Sequence, residues 1–345
     1  MLSRHESAAL ALALAPVDMA DPTWFPFDVD VVGERLQWLR LTEDLIEANA
    51  FLDPRMQAIE LQQALTPLAP IAPLVPPEGA PAWLWHTSFC GSTLLARLRH
   101  VVPYTAVLRE PLVLRRLSDC ADAGHDIRPW VKPLVALLSR PWRPHGHVVV
   151  KPTHAALNIA AGMMAATPAS RAIILTSTLE DFLVSHLKKT RETLAKAPLL
   201  ARRALAAGDL AARLEPQALQ PPSLLAAAAL QWSAQRELLA EVCLSSGSRV
   251  RVLDWAQLAA NVEEETVACA SFLRLDLPEV ALREHVRAHA GRHAKATKRP
   301  YDVALRQMEH DALLARHRMA VTDALRWAES HVLSVLRPQA VSLGR

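Results

Sequence analysis

From Ala82 onward, short apolar runs alternate with helical stretches, and few architectures accept that alternation. The runs are Ala82–His86 (AWLWH), Thr105–Leu108, His147–Val150 (HVVV), Ala172–Thr176 (AIILT) and Arg249–Leu253 (RVRVL). Continuous apolar runs of this length read as strands buried on both faces. Strands that alternate with helices build a parallel sheet covered on either side. The expected fold class is therefore α/β, a parallel β-sheet flanked by helices, with a helical extension before it and a helical insertion within it.

The flanking regions divide as follows. Residues 1–65 are expected to be a helical segment, because Arg35–Phe51 spaces Leu36, Leu39, Leu45 and Ile46 as an amphipathic helix would. The short apolar run Ala8–Ala15 is expected to be a surface helix rather than a signal sequence. Residues 66–81 carry Pro67, Pro70, Pro73, Pro76, Pro77 and Pro81, which predicts an extended connector. The α/β domain is expected over 82–308. Its Ala/Leu-rich stretch at about 188–244, broken by Pro216, Pro221 and Pro222, reads as a helical insertion or lid. A helical tail over 309–345 is expected to pack on the same domain.

Composition excludes several function classes. Of 345 residues, 51% are hydrophobic and 21% charged, as in globular proteins, so disorder is not expected over most of the length. A net charge of +3 is too small to suggest a nucleic-acid partner or an anionic membrane surface. No run is long and apolar enough to predict an integral membrane segment. The four cysteines, Cys90, Cys120, Cys243 and Cys269, form no C-x-x-C pair. They read as free thiols in a reducing, cytoplasmic setting, and no metal site is expected.

The most informative segment is Trp83–Leu98, WLWHTSFCGSTLLARL. An apolar strand enters a turn at Gly91, and Ser92-Thr93 open a helix. Glycine allows close backbone approach, and helix-opening N–H groups and hydroxyls favour a phosphate. An ordinary capped turn would look similar. No G-x-x-x-x-G-K-[ST] loop is present. Other candidates stand at strand ends: Glu110 after Arg109, and Lys151 followed by His154. Taken singly, Lys151 could be a solvated strand end and His154 a structural histidine. Glu110 could pair with Arg109 or Arg115, and Ser185 could face solvent. Near the C-terminus, Arg287, Arg292, Lys295, Lys298 and Arg299 gather with no acidic residue between Val286 and Tyr301, a pattern suited to an anion.

In order, these pieces resemble the sulfotransferase family. Phe89–Leu95 (FCGSTLL) is similar to the family's opening loop in its bacterial S-G-S-T-L-L form, which holds the 5′-phosphosulfate of 3′-phosphoadenosine 5′-phosphosulfate. Phe89 stands where the family carries a basic residue. Arg109-Glu110-Pro111 resembles the E-P that follows in bacterial members. Lys151–His154 (KPTH) resembles the segment with the catalytic lysine and a nearby histidine, one residue more widely spaced. Leu175–Ser185 resembles the segment that grips the 3′-phosphate; Ser185 matches its serine, and its arginine would fall at Ser177. Leu253–Leu258 with Phe272-Leu273 resembles a late family segment, and His293–Tyr301 its basic closing loop.

The resemblance implies a P-loop-like sulfotransferase fold over about Trp83–Tyr301 and a sulfotransferase using that donor as co-substrate. Ser88, Cys90, Gly91, Ser92, Thr93, Ser185, Lys295, Lys298 and Arg299 would bind the donor. Lys298 or Arg299 would replace the arginine missing at Ser177, with Lys188, Lys189 and Arg191 as a second supply. Lys151 would neutralise the leaving oxygen. His154, or else Glu110, would take a proton from the hydroxyl or amine of a small-molecule, lipid or glycan acceptor. The alternatives are a P-loop nucleotide-dependent kinase and a catalytically inactive scaffold of the same fold.

Overall fold

The computed structural model describes residues 16–56, 61–292 and 303–343. Among the described residues, eight strands make two sheets. β1 (Trp24–Asp30), β2 (Arg35–Arg40) and β3 (Gln63–Pro67) form an antiparallel sheet in that order. β4 (Ala82–His86), β5 (Thr105–Arg109), β6 (His147–Lys151), β7 (Ala172–Thr176) and β8 (Val250–Asp254) form a parallel sheet in the order β5-β6-β4-β7-β8. The α/β class and the parallel sheet expected from the sequence are present. All residues of β4, β5 and β7 are buried, which is why these strands read as unbroken apolar runs.

Residues alternate across the parallel sheet as the pleat requires. Trp83, Trp85, Val148, Val150 and Ile174 enter one core, with the two indoles stacked 5.1 Å apart. Leu84, Val149, Ile173 and Leu175 enter the other. The helices that matter here are α1 (Glu43–Ala48), α2 (Ser92–Leu98), α3 (Leu112–Asp122), α4 (Arg128–Leu138), α5 (Ala160–Ala166), α6 (Leu179–Leu187), α7 (Ala197–Ala207), α8 (Leu224–Ser246), α9 (Trp255–Ala260), α10 (Val262–Phe272), α11 (Glu279–His289), α12 (Val303–Arg316) and α13 (Arg318–His331). No described helix is long and apolar enough to cross a membrane.

The N-terminal helical segment is corrected to a sheet. Leu36 and Trp38 are fully buried at a spacing of two, so the strand period wins over the helical match at Leu36 and Leu39. Among its described residues only Glu43–Ala48 is α-helical, with Thr42 capping it through a bond from Leu45 N–H. The proline-rich stretch is not wholly a connector. Thr66 and Pro67 end β3, and Leu68 and Ile71 enter the core. The Trp38 Nε1 donates to the Thr66 hydroxyl at 2.8 Å, tying β2 to β3. Thr66→Val removes that acceptor at similar volume and is expected to cost about 1–2 kcal/mol in urea unfolding. Ala8–Ala15 lies outside the described residues.

The expected insertion or lid is also corrected. α8 is buried on nearly every face and packs on α5, α6 and α7, so it belongs to the core. Its run Ala226–Ala229 allows this, because small side chains let neighbouring helices approach closely. At the other end, α12 crosses the expected boundary at residue 308, so no domain border falls there.

Candidate functional site

The strand order reverses at β4. The chain runs from β4 out to β5, returns to β6 beside β4, and then crosses to β7 on the other side. In open parallel sheets the crevice beyond such a reversal is where ligands bind. Both halves of the candidate site lie there, and His86, the last residue of β4, connects them. Its Nε2 faces the Pro152 carbonyl at 3.0 Å and its Nδ1 the Thr87 carbonyl at 2.8 Å.

One half is the glycine turn. Phe89 and Gly91 take φ of 61° and 82°, so the backbone alternates into the left-handed region around Cys90. Among the described residues, the N–H groups of Phe89, Cys90 and Gly91 donate to nothing. Successive N–H groups left open by such a backbone favour an anion. The Cys90 thiol donates to the Thr87 carbonyl at 3.1 Å and holds the turn shut from inside. From α8, Gln235 accepts from the Ser88 N–H, and the Gln231 amide donates to the Ser88 hydroxyl, both at 3.3 Å. Ser92 and Thr93 are buried at the start of α2. The buried hydroxyls of Thr87, Thr176 and Ser177 have no partner among the described residues.

Gly91 is needed for a second reason. A Cβ there would meet the Trp255 ring at 2.2 Å. Trp255 opens α9, which Asp254 caps by accepting from Ala256 N–H. Phe89 turns onto α6, edge-on to His186 at 4.7 Å and 6.0 Å from Phe182. Lys189 Nζ stands 5.1 Å from the Phe89 ring, and the Arg306 guanidinium 3.8 Å from the Trp255 ring. Ser185 is half-buried on α6, one turn on from Phe182. Lys188 is engaged by Glu309 at 2.8 Å.

The other half is built at the ends of β5 and β6, whose register sets Arg109 opposite Lys151. Lys151 has a side chain 0% exposed, and its Nζ donates to Glu110 Oε1 at 2.7 Å. It is no solvated strand end. The other Glu110 oxygen meets Arg55 at 3.2 Å, and Arg55 also pairs with Asp53 and stacks on Phe51. Glu110 itself takes φ of 52°, a strained value for this residue type, and its N–H is fixed by the Lys151 carbonyl at 2.7 Å. Glu110 pairs with neither Arg109 nor Arg115 among the described residues. Arg109 instead caps carbonyls of Ile46, Glu47 and Asn49, and Arg115 pairs with Asp119.

Burial alone would push the Glu110 carboxyl up, but Lys151, with His86 and His154, brings it down to about 2. Burial, opposed only in part by Glu110, brings His154 down to about 4, so its ring is neutral. Burial and Lys151 also push His86 well below its ordinary value. Both His86 nitrogens are blocked by carbonyls, whereas those of His154 meet no hydrogen-bond partner among the described residues. His154 is thus the ring open to accept a proton. Glu110, weakly basic and held on both oxygens, positions Lys151.

These shifts fix a pH dependence. Both folded values lie below the unfolded ones, 4.5 for Glu110 and 6.5 for His154. Their stabilisation is complete above about 6.5 and is lost as pH falls towards 2. Urea midpoints measured from pH 7 to pH 3 should fall steadily, and less steeply in Glu110→Gln.

Lys295, Lys298 and Arg299 lie outside the described residues. Arg287 is corrected: it pairs with Glu263 on α10 at 2.8 Å, an acidic partner remote in sequence. Sequence reasoning missed Arg55, Gln231, Gln235 and Trp255, whose roles come from tertiary neighbours. No group of three or more His, Cys, Asp or Glu among the described residues could hold a metal ion.

No protein-family model matches the chain, and no curated protein does. Among solved structures, the chain resembles a sulfotransferase from Alicyclobacillus acidocaldarius at 14% identity and a TM-score of 0.38. The alignment covers 70% of this chain and 96% of that one. A likeness this slight concerns the chain path and does not bear on activity.

Proposed function

We propose that this protein transfers the sulfuryl group of 3′-phosphoadenosine 5′-phosphosulfate to a hydroxyl acceptor. The observation that carries the reading is Lys151: a wholly buried ammonium at the end of β6, beside neutral His154 and next to the strand that bears the turn. Burying a charge is costly, and groups so placed in a crevice belong to working sites more often than to ordinary cores.

The donor suits the turn. The open N–H groups of Phe89, Cys90 and Gly91 and the unpartnered hydroxyls of Thr87 and Ser177 ask for acceptor oxygens. Lys189, just past the end of α6, brings a positive charge to the position that Phe89 leaves apolar. In the reaction the acceptor oxygen forms a bond to sulfur as the bond from sulfur to the bridging phosphate oxygen breaks. The acceptor proton goes to His154, and Lys151, with two N–H donors beyond the one given to Glu110, meets the charge on the leaving oxygen. The products are the sulfated acceptor and 3′-phosphoadenosine 5′-phosphate.

Calorimetry with 3′-phosphoadenosine 5′-phosphate tests the donor. Binding is expected, weakened about tenfold in Lys189→Ala and in Ser185→Ala, as for loss of one charge-assisted hydrogen bond. Silence at millimolar ligand would sink the reading. It would favour a non-catalytic binding protein of the same fold, for which one observation speaks: the Trp255 ring fills the space beside Gly91.

A further inference from the structure

α12 has apolar residues on two opposite faces, and only one face is covered. Arg306, His310, Leu313, Leu314 and His317 are half-buried and form the inner face. Leu313 and Leu314 pack on the core that Phe182 of α6 and Val321 of α13 enter, and His310 faces Asp181 at 3.1 Å. At the α-helical period, Met308, Ala312, Ala315 and Met319 fall on the opposite side as one stripe. All four are exposed, Met308 by 66% and Met319 by 81%. The stripe passes from α12 into α13 on a continuous ladder, because His317 N–H donates to the Leu313 carbonyl and Val321 N–H to the His317 carbonyl. Single exposed apolar residues are ordinary, but a stripe of them opposite a face that is already packed marks a contact surface. Charges border it on both edges. Glu309 and Arg316 lie along one edge, Asp311 and Arg318 along the other. Both carboxylates thus come first along the chain and both guanidinium groups last. Arg316 and Arg318 pair with no carboxylate among the described residues. There too, Glu309 keeps Oε1 open beside the bond from Lys188, and Asp311 keeps Oδ2 open beside the bond from Gln307.

We propose that this stripe is a homodimer contact, on which the same stripe of a second copy of the chain packs antiparallel about a two-fold axis between Ala312 and Ala315. The order of charge is what selects a second copy. A two-fold axis there sets like edges side by side and reverses the chain direction. Glu309 then meets the partner's Arg316, Asp311 meets the partner's Arg318, and the reciprocal pairs follow. A parallel pairing would set carboxylate against carboxylate. The two alanines let the helices approach at the axis, and Met308 packs beside the partner's Met319, a flexible side chain suited to an adaptable contact. Exposed ion pairs contribute little affinity each, so burial of the stripe drives association while the charges fix its direction. The contact involves no residue of the glycine turn or of the Lys151 pair, so it stands apart from the donor reading.

Sedimentation equilibrium of the full chain, from low micromolar to a few hundred micromolar, tests this. The wild type is expected to pass from monomer to dimer across that range. Ala315→Glu changes an exposed position, leaves the inner face of α12 untouched and sets two like charges beside the axis, so it should stay monomeric. Arg316→Glu/Arg318→Glu leaves only carboxylates along both edges and is expected to dimerise at least about tenfold more weakly, as is Glu309→Lys/Asp311→Lys with only ammonium groups on the acidic positions. An equimolar mixture of those two variants restores every opposite-charge pair and should form a heterodimer at least as tight as the wild-type dimer, which misfolded variants would not do. A wild type that stays monomeric would overturn the proposal and leave the stripe to a different protein or to another segment of this chain. A dimer that survives Ala315→Glu would overturn it by placing the contact elsewhere. A mixture no tighter than either variant alone would overturn the antiparallel pairing on which it rests.

Discussion

Lys151→Met is expected to destabilise the protein by about 3–5 kcal/mol in urea unfolding, the cost of breaking a buried pair and stranding the partner charge. Glu110 would be left buried with only Arg55, whose side chain is largely in solvent, on its second oxygen. The double variant Lys151→Met/Glu110→Gln removes both charges and should recover much of the loss. That pair of variants also separates structure from chemistry. If Lys151 served only to hold the fold, the rescued double variant would transfer sulfuryl groups as well as the wild type does. A stable double variant that still binds 3′-phosphoadenosine 5′-phosphate but does not turn over would place the ammonium in the reaction.

Gly91→Ala carries the second large effect. The residue has φ of 82°, where a side chain costs about 1–2 kcal/mol. The added methyl would also lie 2.2 Å from the Trp255 ring, and overpacking of that kind costs about 1–3 kcal/mol more. A total loss of about 2–5 kcal/mol is expected in thermal or urea unfolding. Adding Trp255→Leu should relieve the clash and leave the backbone strain. If Gly91→Ala were as unstable with leucine at 255 as with tryptophan, the contact would not be the cause.

The parallel sheet was legible because strands buried on both faces have no polar face to confuse the pattern. The glycine turn was legible for a local reason: a strand, a glycine and helix-opening hydroxyls are contiguous in the chain. Lys151 and His154 could be placed because one ends a strand and the other follows it three residues on. The N-terminal sheet was not, since Leu36 and Leu39 satisfy a helical spacing as readily as Leu36 and Trp38 satisfy a strand. Only packing on α3 and α4 decides between them. Arg55 was invisible for a related reason. Its partner Glu110 lies 55 residues on, and nothing local marks a basic residue that will reach a strand end. The acidic partner of Arg287 was missed in the same way, because charge counted along the chain ignores what a neighbouring helix brings.

The N-terminal sheet is fastened to the rest by arginines that grip backbone carbonyls. Arg140 holds the carbonyls of Met19, Asp21 and Trp24, and Arg109 those that end α1. Every one of these partners is made later than the strands it secures. As the chain leaves the ribosome, β1, β2 and β3 emerge with Leu36 and Trp38 exposed, and they stay so until α3, α4 and Arg140 follow. Separations in sequence of 116 to 121 residues between Arg140 and its carbonyls make this closure a late event. Strands made before the residues that secure them are thus late to settle, and a ribosome stalled before residue 140 would present an apolar sheet for chaperones to hold.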